Sequence, residues 1–196
     1  MTWWQIILLV LGILLVLTGI VATLKARSLD RVHKNVTKSR IALERALVDR
    51  AQAAREVARS GVLDVASAVV LANVATEAIE ASAHPIVDDG WEAIAIEDDD
   101  GQTLHTVGQE APDRLIIESE LSRALRHSVD ELEATSPELD HLHQARVSVQ
   151  MTRRFHNNHV SQARRVRKSP LVRTLRLHGN APEPVTVNLD DRSASE

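Results

Sequence analysis

The sequence predicts an all-α fold, in which a single N-terminal transmembrane helix continues into an antiparallel bundle of about four long helices with a mid-chain acidic insert. Three observations carry this. Residues 3–24, WWQIILLVLGILLVLTGIVATL, are 22 positions without an Asp, Glu, Lys, Arg or His. No Pro or Gly falls between Val21 and Ser60, so nothing breaks a helix that leaves this segment. Farther on, apolar residues recur at steps of 3 and 4 in stretches bounded by capping residues and Pro.

At 1.5 Å per residue the first segment is about 33 Å long, against a hydrocarbon core of about 30 Å. A cleaved signal peptide has a basic start, an apolar region of about 7–15 residues and a small-x-small site, none of which fits here. The segment therefore reads as an uncleaved anchor. Lys25, Arg27, Arg31, Lys34, Lys38 and Arg40 follow it closely, whereas no Lys or Arg precedes it. The positive-inside rule then puts Met1 outside and the remainder in the cytoplasm, at a cell membrane spanned once. Trp3 and Trp4 fit the outer interface, where an indole keeps its ring in lipid and its N–H in water. Gly12, Gly19 and Thr23 form a small-residue face that suits helix–helix contact.

After the anchor, Leu29, Val32, Val36, Leu43, Leu47, Ala54 and Val57 form one stripe of a cytoplasmic stalk, with Ile41 and Val48 on another face and Gly61 as the stop. Asp64 suits an N-cap for an Ala-rich helix reaching about Ser82, in which Ala68, Ala72 and Ala75 permit close approach; Pro85 closes it. Residues 84–112 change character. They hold Gly90, Gly101, Gly108 and an acidic run from Glu97 to Asp100, and read either as a small hairpin turning at Asp100-Gly101 or as a disordered acidic loop. Asp113 caps the next helix, expected to reach about Glu133 with Ile117, Leu121, Leu125, Val129 and Leu132 inward and Arg126–Asp130 and His127–Glu131 as surface pairs. Ser136-Pro137 opens the last long helix, to about Lys168, using Leu139, Leu142, Ala145, Val149, Val160 and Ala163. A short amphipathic piece over 171–177 precedes a polar tail, 179–196. The divisions are thus an anchor over 1–24, a bundle over 25–178 and the tail.

Helix lengths set heights. The last helix, about 48 Å long, nearly matches the stalk, so its end returns toward the bilayer, while the second, about 27 Å long, climbs only half way and leaves the acidic insert at mid-height. Arg164, Arg165, Arg167, Lys168, Arg173 and Arg176 then join Lys25, Arg27 and Arg31 as a basic cluster at the membrane surface. Three readings of the cluster stand: a solvated helix end that complements the macrodipole, contact with anionic lipid headgroups, or nucleic acid. Headgroup contact agrees with the folded-back geometry, and a net charge of −4 with one Phe and no Tyr disfavours nucleic acid.

The absence of Cys excludes a disulfide framework and Cys-ligated zinc. His156-x-x-His159 puts two imidazoles on one helical face, but a third ligand would have to come from elsewhere, such as His127 or Asp130. The Asp98–Asp100 run lacks EF-hand spacing, since Ile96 and Val107 stand where acids are needed. No phosphate-cradling Gly loop, nucleophile elbow or His-Glu-x-x-His occurs, so neither a catalytic site nor a cofactor is expected.

The run RSLDRVHKNV at the membrane exit, followed by Leu43, Leu47 and Arg50, resembles the "LDRLHVRVDNAW...L...LKRR" start of LemA proteins. RRFHNNHVSQA, residues 153–163, is similar to their "RRDYNDAVRAY", and the spacing of Pro, Leu, Gly and Pro over 170–187 is similar to their C-terminus. The chain resembles a divergent, actinobacterial type of LemA over most of its length. Arg40 stands where the family usually has Trp, His156 where it has Tyr, and AQAAREV replaces "DLIPNLV". The resemblance implies a membrane-anchored cytoplasmic helical bundle without a settled biochemical activity. The expected function is a non-catalytic scaffold or adaptor at the inner leaflet with a protein partner. The alternatives are a self-assembling structural membrane protein, or a metal-dependent sensor or enzyme using His156 and His159.

Overall fold

The structure, a computed structural model, describes residues 3–87, 113–130, 132, 134–174 and 182–191. Five helices are formed by these residues: α1, Trp3–Arg59; α2, Val65–Ala81; α3, Arg114–Ser128; α4, Pro137–Arg167; and α5, Pro170–Thr174. No strand occurs among them. Most of the insert lies outside the described residues, so the choice between hairpin and acidic loop over 84–112 does too.

Helix α1 is unbroken over 57 residues, as the lack of Pro and Gly requires. Its first 22 residues divide sharply from the rest. The large apolar side chains from Trp3 to Leu24 are exposed, the most apolar 18-residue window has a mean hydropathy of 2.9 and none of it is buried, and burial begins only at Leu29. The helix is thus long and apolar enough to cross a membrane, and it carries the bundle on its far half.

All seven positions of the sequence-derived stripe, Leu29 to Val57, are buried. At Gly61 φ is +78°, the left-handed geometry in which a Cβ is costly, and this turns the chain out of α1. The caps are where the sequence puts them. Asp64 Oδ1 accepts from the Ala66 and Ser67 N–H groups at 2.9 and 3.1 Å, Asp113 Oδ1 from Leu115 N–H at 3.1 Å, and Ser136 Oγ from Leu139 N–H at 3.3 Å with Pro137 in the first turn. The Asp64 carboxyl is accordingly held below its ordinary range by the hydrogen bonds it accepts.

Helix α4 runs antiparallel along α1. His141 faces Asp49 and Glu56 at the far end, Val149 packs with Leu43 and Leu47, His156 meets Ser39, and Val160 and Ala163 pack with Val32 and Val36. Helix α2 packs on α1 and α3 on α2, closing the distal core around Ala51, Ala54, Val57, Leu71, Ala75, Leu121, Leu125 and Leu142. Of the small residues on α2, Ala75 is buried in this core and Ala68 packs against it half-buried.

Helix α3 ends at Ser128 rather than near Glu133. Asp130 is drawn to α4, where Arg146 donates to both of its oxygens, and Arg126 reaches Asp190 at 3.0 Å. An interhelix ion pair thus replaces the last turn that periodicity suggests. The C-terminal residues also differ from a simple polar tail. Residues 182–191 lie as an extended strap in which Val187 is fully buried, Leu189 and Asp191 nearly so, and Val187 and Leu189 join Leu43, Leu47, Ile86 and Val149 in one cluster.

Candidate functional site

The basic end of α4 sits beside α1 within a few turns of the apolar segment. His33 feels the charge of Arg167, and Val166 packs on the cluster of Val32, Val36, Val160 and Ala163. Nine residues separate His33 from Leu24, about 14 Å along a helix. Lys25, Arg27, Arg31, Arg165, Lys168 and Arg173 are exposed there. Arg176 lies outside the described residues.

Arg164 and Arg167 behave differently from the other members. Arg164 Nε donates to the Pro184 carbonyl at 2.9 Å and lies 3.4 Å from Glu183 Oε1, and Arg167 donates to the Pro182 carbonyl. With Lys168, Arg173 and Glu183 they line a shallow cleft of about 190 Å³. Two of the sequence-derived cationic residues therefore hold the strap, and the rest of the described set faces outward.

The clamp continues along α4. Asn157 pairs with the Val187 backbone in both directions at 2.9 Å, Gln150 donates to the Asp191 carbonyl at 2.8 Å, and Arg153 grips the Asp191 carboxylate through Nε at 2.6 Å and an Nη at 2.8 Å. Positions 150, 153, 157, 164 and 167 recur at helical spacing, so one ridge of α4 reads the strap's main chain.

A second polar assembly lies inside the bundle. Arg50, 2% exposed, donates to Glu118 Oε2 at 2.8 Å, to the Glu118 carbonyl at 3.1 Å and to Ser122 Oγ at 2.9 Å. Arg114 lies 3.6 Å from Glu118 Oε1 and donates to the His84 carbonyl at 2.6 Å. Burial is the largest influence on both members of the central pair. It pushes the Glu118 carboxyl up and the Arg50 guanidinium down, and each partner's charge partly restores the other. Glu118 thus lies between two buried guanidiniums, hydrogen-bonded to Arg50 and ion-paired with Arg114, and ties α1 to α3.

His156 is fully buried, with its Nδ1 3.0 Å from Ser39 Oγ, while His159 meets Phe155 edge-on at 4.3 Å. Among the described residues no group of three or more His, Asp or Glu side chains converges as a metal site would require. His127 is exposed on α3 and Asp130 is bound to Arg146.

Family models, curated proteins and solved structures return no match.

Sequence reasoning missed the Arg50–Glu118–Arg114 tie, the Ser39–His156 contact and the strap. Signals for each were present. Arg50 occupies a stripe position between Leu47 and Ala54, Arg114 and Glu118 share the inward face of α3 with Leu121 and Leu125, His156 stands seven residues after Val149, and Val187 and Leu189 alternate with polar residues.

One consequence is pH-dependent. Burial and the neighbouring Arg167 hold the half-buried His33 below its usual 6.5, with Asp30 opposing. The unfolded chain therefore takes up this proton before the native state does, and the contribution of His33, complete above pH 6.5, is lost as the pH falls from 6.5 toward the native value. The melting midpoint of the detergent-solubilised chain, followed by circular dichroism, is expected to drop over this window. In a His33→Gln variant that component should vanish; an unchanged slope would remove His33 as its source.

Proposed function

We propose that this chain is a membrane-anchored helical scaffold of LemA type, a non-catalytic adaptor whose residues 3–24 span a cell membrane once. Met1 lies outside and the bundle lies on the cytoplasmic face. The observation that carries this reading is the division of α1: an apolar segment that no part of the bundle covers, continuous with a far half buried against α2 and α4. A rigid helix shared by anchor and bundle transmits position, and the exposed cations around its exit suit an anionic leaflet, worth about 1 kcal/mol for each Lys or Arg near the surface.

The adaptor role draws support from an open groove of about 830 Å³ on α1, where Ile41, Arg45, Val48 and Asp49 meet Ser82 and Ser148. Ile41 remains 44% exposed there, a place where a partner helix could bury apolar area. The LemA assignment itself rests on the motifs at the membrane exit and along residues 153–163.

Because the chain has no Cys, single introduced thiols report topology cleanly. In intact cells an impermeant maleimide is expected to label Thr2→Cys, and Asn188→Cys only after permeabilisation. The opposite pattern would overturn the orientation, and recovery of the protein in the soluble fraction would overturn the anchor.

A further inference from the structure

The strap and its groove are two halves of a peptide-recognition pair within one chain. The groove is built from the α4 ridge bearing Gln150, Arg153, Asn157, Arg164 and Arg167, floored by Leu43, Leu47 and Val149. Its ligand is an extended segment with Val187 and Leu189 turned in, a carboxylate at Asp191 and main-chain groups offered to the ridge. Contacts of this type are made to a separate strand, and nothing in their geometry depends on the strand belonging to the same chain. Every copy also carries a ligand that is known to fit.

We infer that the strap of one copy seats in the groove of a second, so that two chains associate by reciprocal exchange of residues 182–191. Each groove is then completed by the other copy's Val187, Leu189 and Asp191. The same contacts are made in the closed and the exchanged states, so the balance between them is set by chain entropy and local concentration rather than by new surface. The eight chain steps from Thr174 to Pro182 reach at most about 26–29 Å, more than two helix diameters of about 10–12 Å, which suffices for two grooves side by side. Of the two ion pairs at the strap's end, Arg126–Asp190 is accessible to water, its side chains 25% and 44% exposed, whereas Arg153–Asp191 is largely enclosed, so release starts from the exposed pair. Exchange does not require the anchoring reading, although confinement to a membrane would favour it by raising the local concentration of straps.

The test uses two differently tagged full-length copies co-expressed in one cell, Ser161→Cys in one and Asn188→Cys in the other, treated with a short bis-maleimide; Ser161 is exposed on α4, one turn from Asn157 toward Arg164. No other thiol is present, so a covalent product carrying both tags joins the groove of one chain to the strap of the next. The expected result is such a product, several-fold more abundant than from a control pair of His141→Cys with Asn188→Cys, because His141 lies at the far end of α4. Equal yields from the two pairs, or the absence of a product carrying both tags, would overturn the inference. A second measurement needs no thiol: mass analysis of the wild-type chain in detergent should show a dimer that is absent when the chain is truncated after residue 181, which removes the strap. Monomer at every concentration would overturn exchange while leaving the anchor and the scaffold reading intact.

Discussion

Replacing Glu118 with Ala is expected to be the most damaging single change to the bundle, at about 3–5 kcal/mol, because it strands two buried guanidiniums. Arg50 and Arg114 are each about 2% exposed, and the carboxylate lies 2.8 Å from one and 3.6 Å from the other. Water cannot take over either contact. Urea unfolding of the full chain in detergent, followed by helical circular dichroism, measures the loss; a change under 1 kcal/mol would show that the tie does not hold α1 to α3. The contrast with removing all the charges is informative. Arg50→Met, Glu118→Leu and Arg114→Met combined should be far milder than Glu118→Ala alone, since an apolar replacement of matching volume avoids the desolvation that the ion pair has to overcome.

The same carboxyl has a distinctive pH signature. Burial raises its pKa above the usual 4.5 by more than the two Arg lower it. The native state then keeps a proton that the unfolded chain releases, so the contribution of Glu118 is complete below pH 4.5 and diminishes as the pH climbs through the native value. Glu118→Gln should flatten that descending limb.

His156→Ala is expected to cost about 2–4 kcal/mol, from the cavity left by a fully enclosed ring and from loss of its contact with the Ser39 hydroxyl, which keeps its own bond to the Val36 carbonyl at 2.8 Å. For a chain of this size that corresponds to a fall in melting midpoint of roughly 5–15 °C. Ser39→Ala should cost less, and the double variant should be less damaging than the sum, because the two side chains share one contact at 3.0 Å. The experiment also separates two roles for His156. A packing residue predicts no change in wild-type midpoint on adding zinc, whereas a metal ligand predicts a rise that follows metal concentration and is lost in His156→Ala.

On the proposed reading, scaffolding by such a chain would be mechanical. Helix α1 is both the apolar segment and the spine on which α2 and α4 pack, and no Pro or Gly lies between Val21 and Ser60 to act as a hinge, so tilt or rotation of an anchored segment would be passed to the bundle. The ties farther along keep the helices in register: Arg50 with Glu118 between α1 and α3, Arg146 with Asp130 where α3 leaves for α4, and Arg153 with Asp191 between α4 and the strap. The exposed cations and the Ile41 groove on α1 and the strap along α4 are three separate surfaces, which the proposals above give to headgroups, a partner helix and a second copy.

The sequence by itself determined the helical class, the long unbroken α1, the exposed apolar segment, the buried stripe from Leu29 to Val57 and the caps at Asp64, Asp113 and Ser136. These depend on periodicity, on the lack of helix breakers and on hydrogen bonds between residues two or three apart, all of which are local. Only the tertiary structure decided that Arg50, Glu118 and His156 lie inside, that Asp130 leaves α3 for Arg146, and that Arg164 and Arg167 clamp a strap in place of facing outward with their neighbours. A polar or charged side chain on an inward face is favourable only where another element supplies its hydrogen-bond partner or counter-charge. That partner is 68 residues away for Arg50 and 117 for His156, beyond the reach of any pattern along the chain.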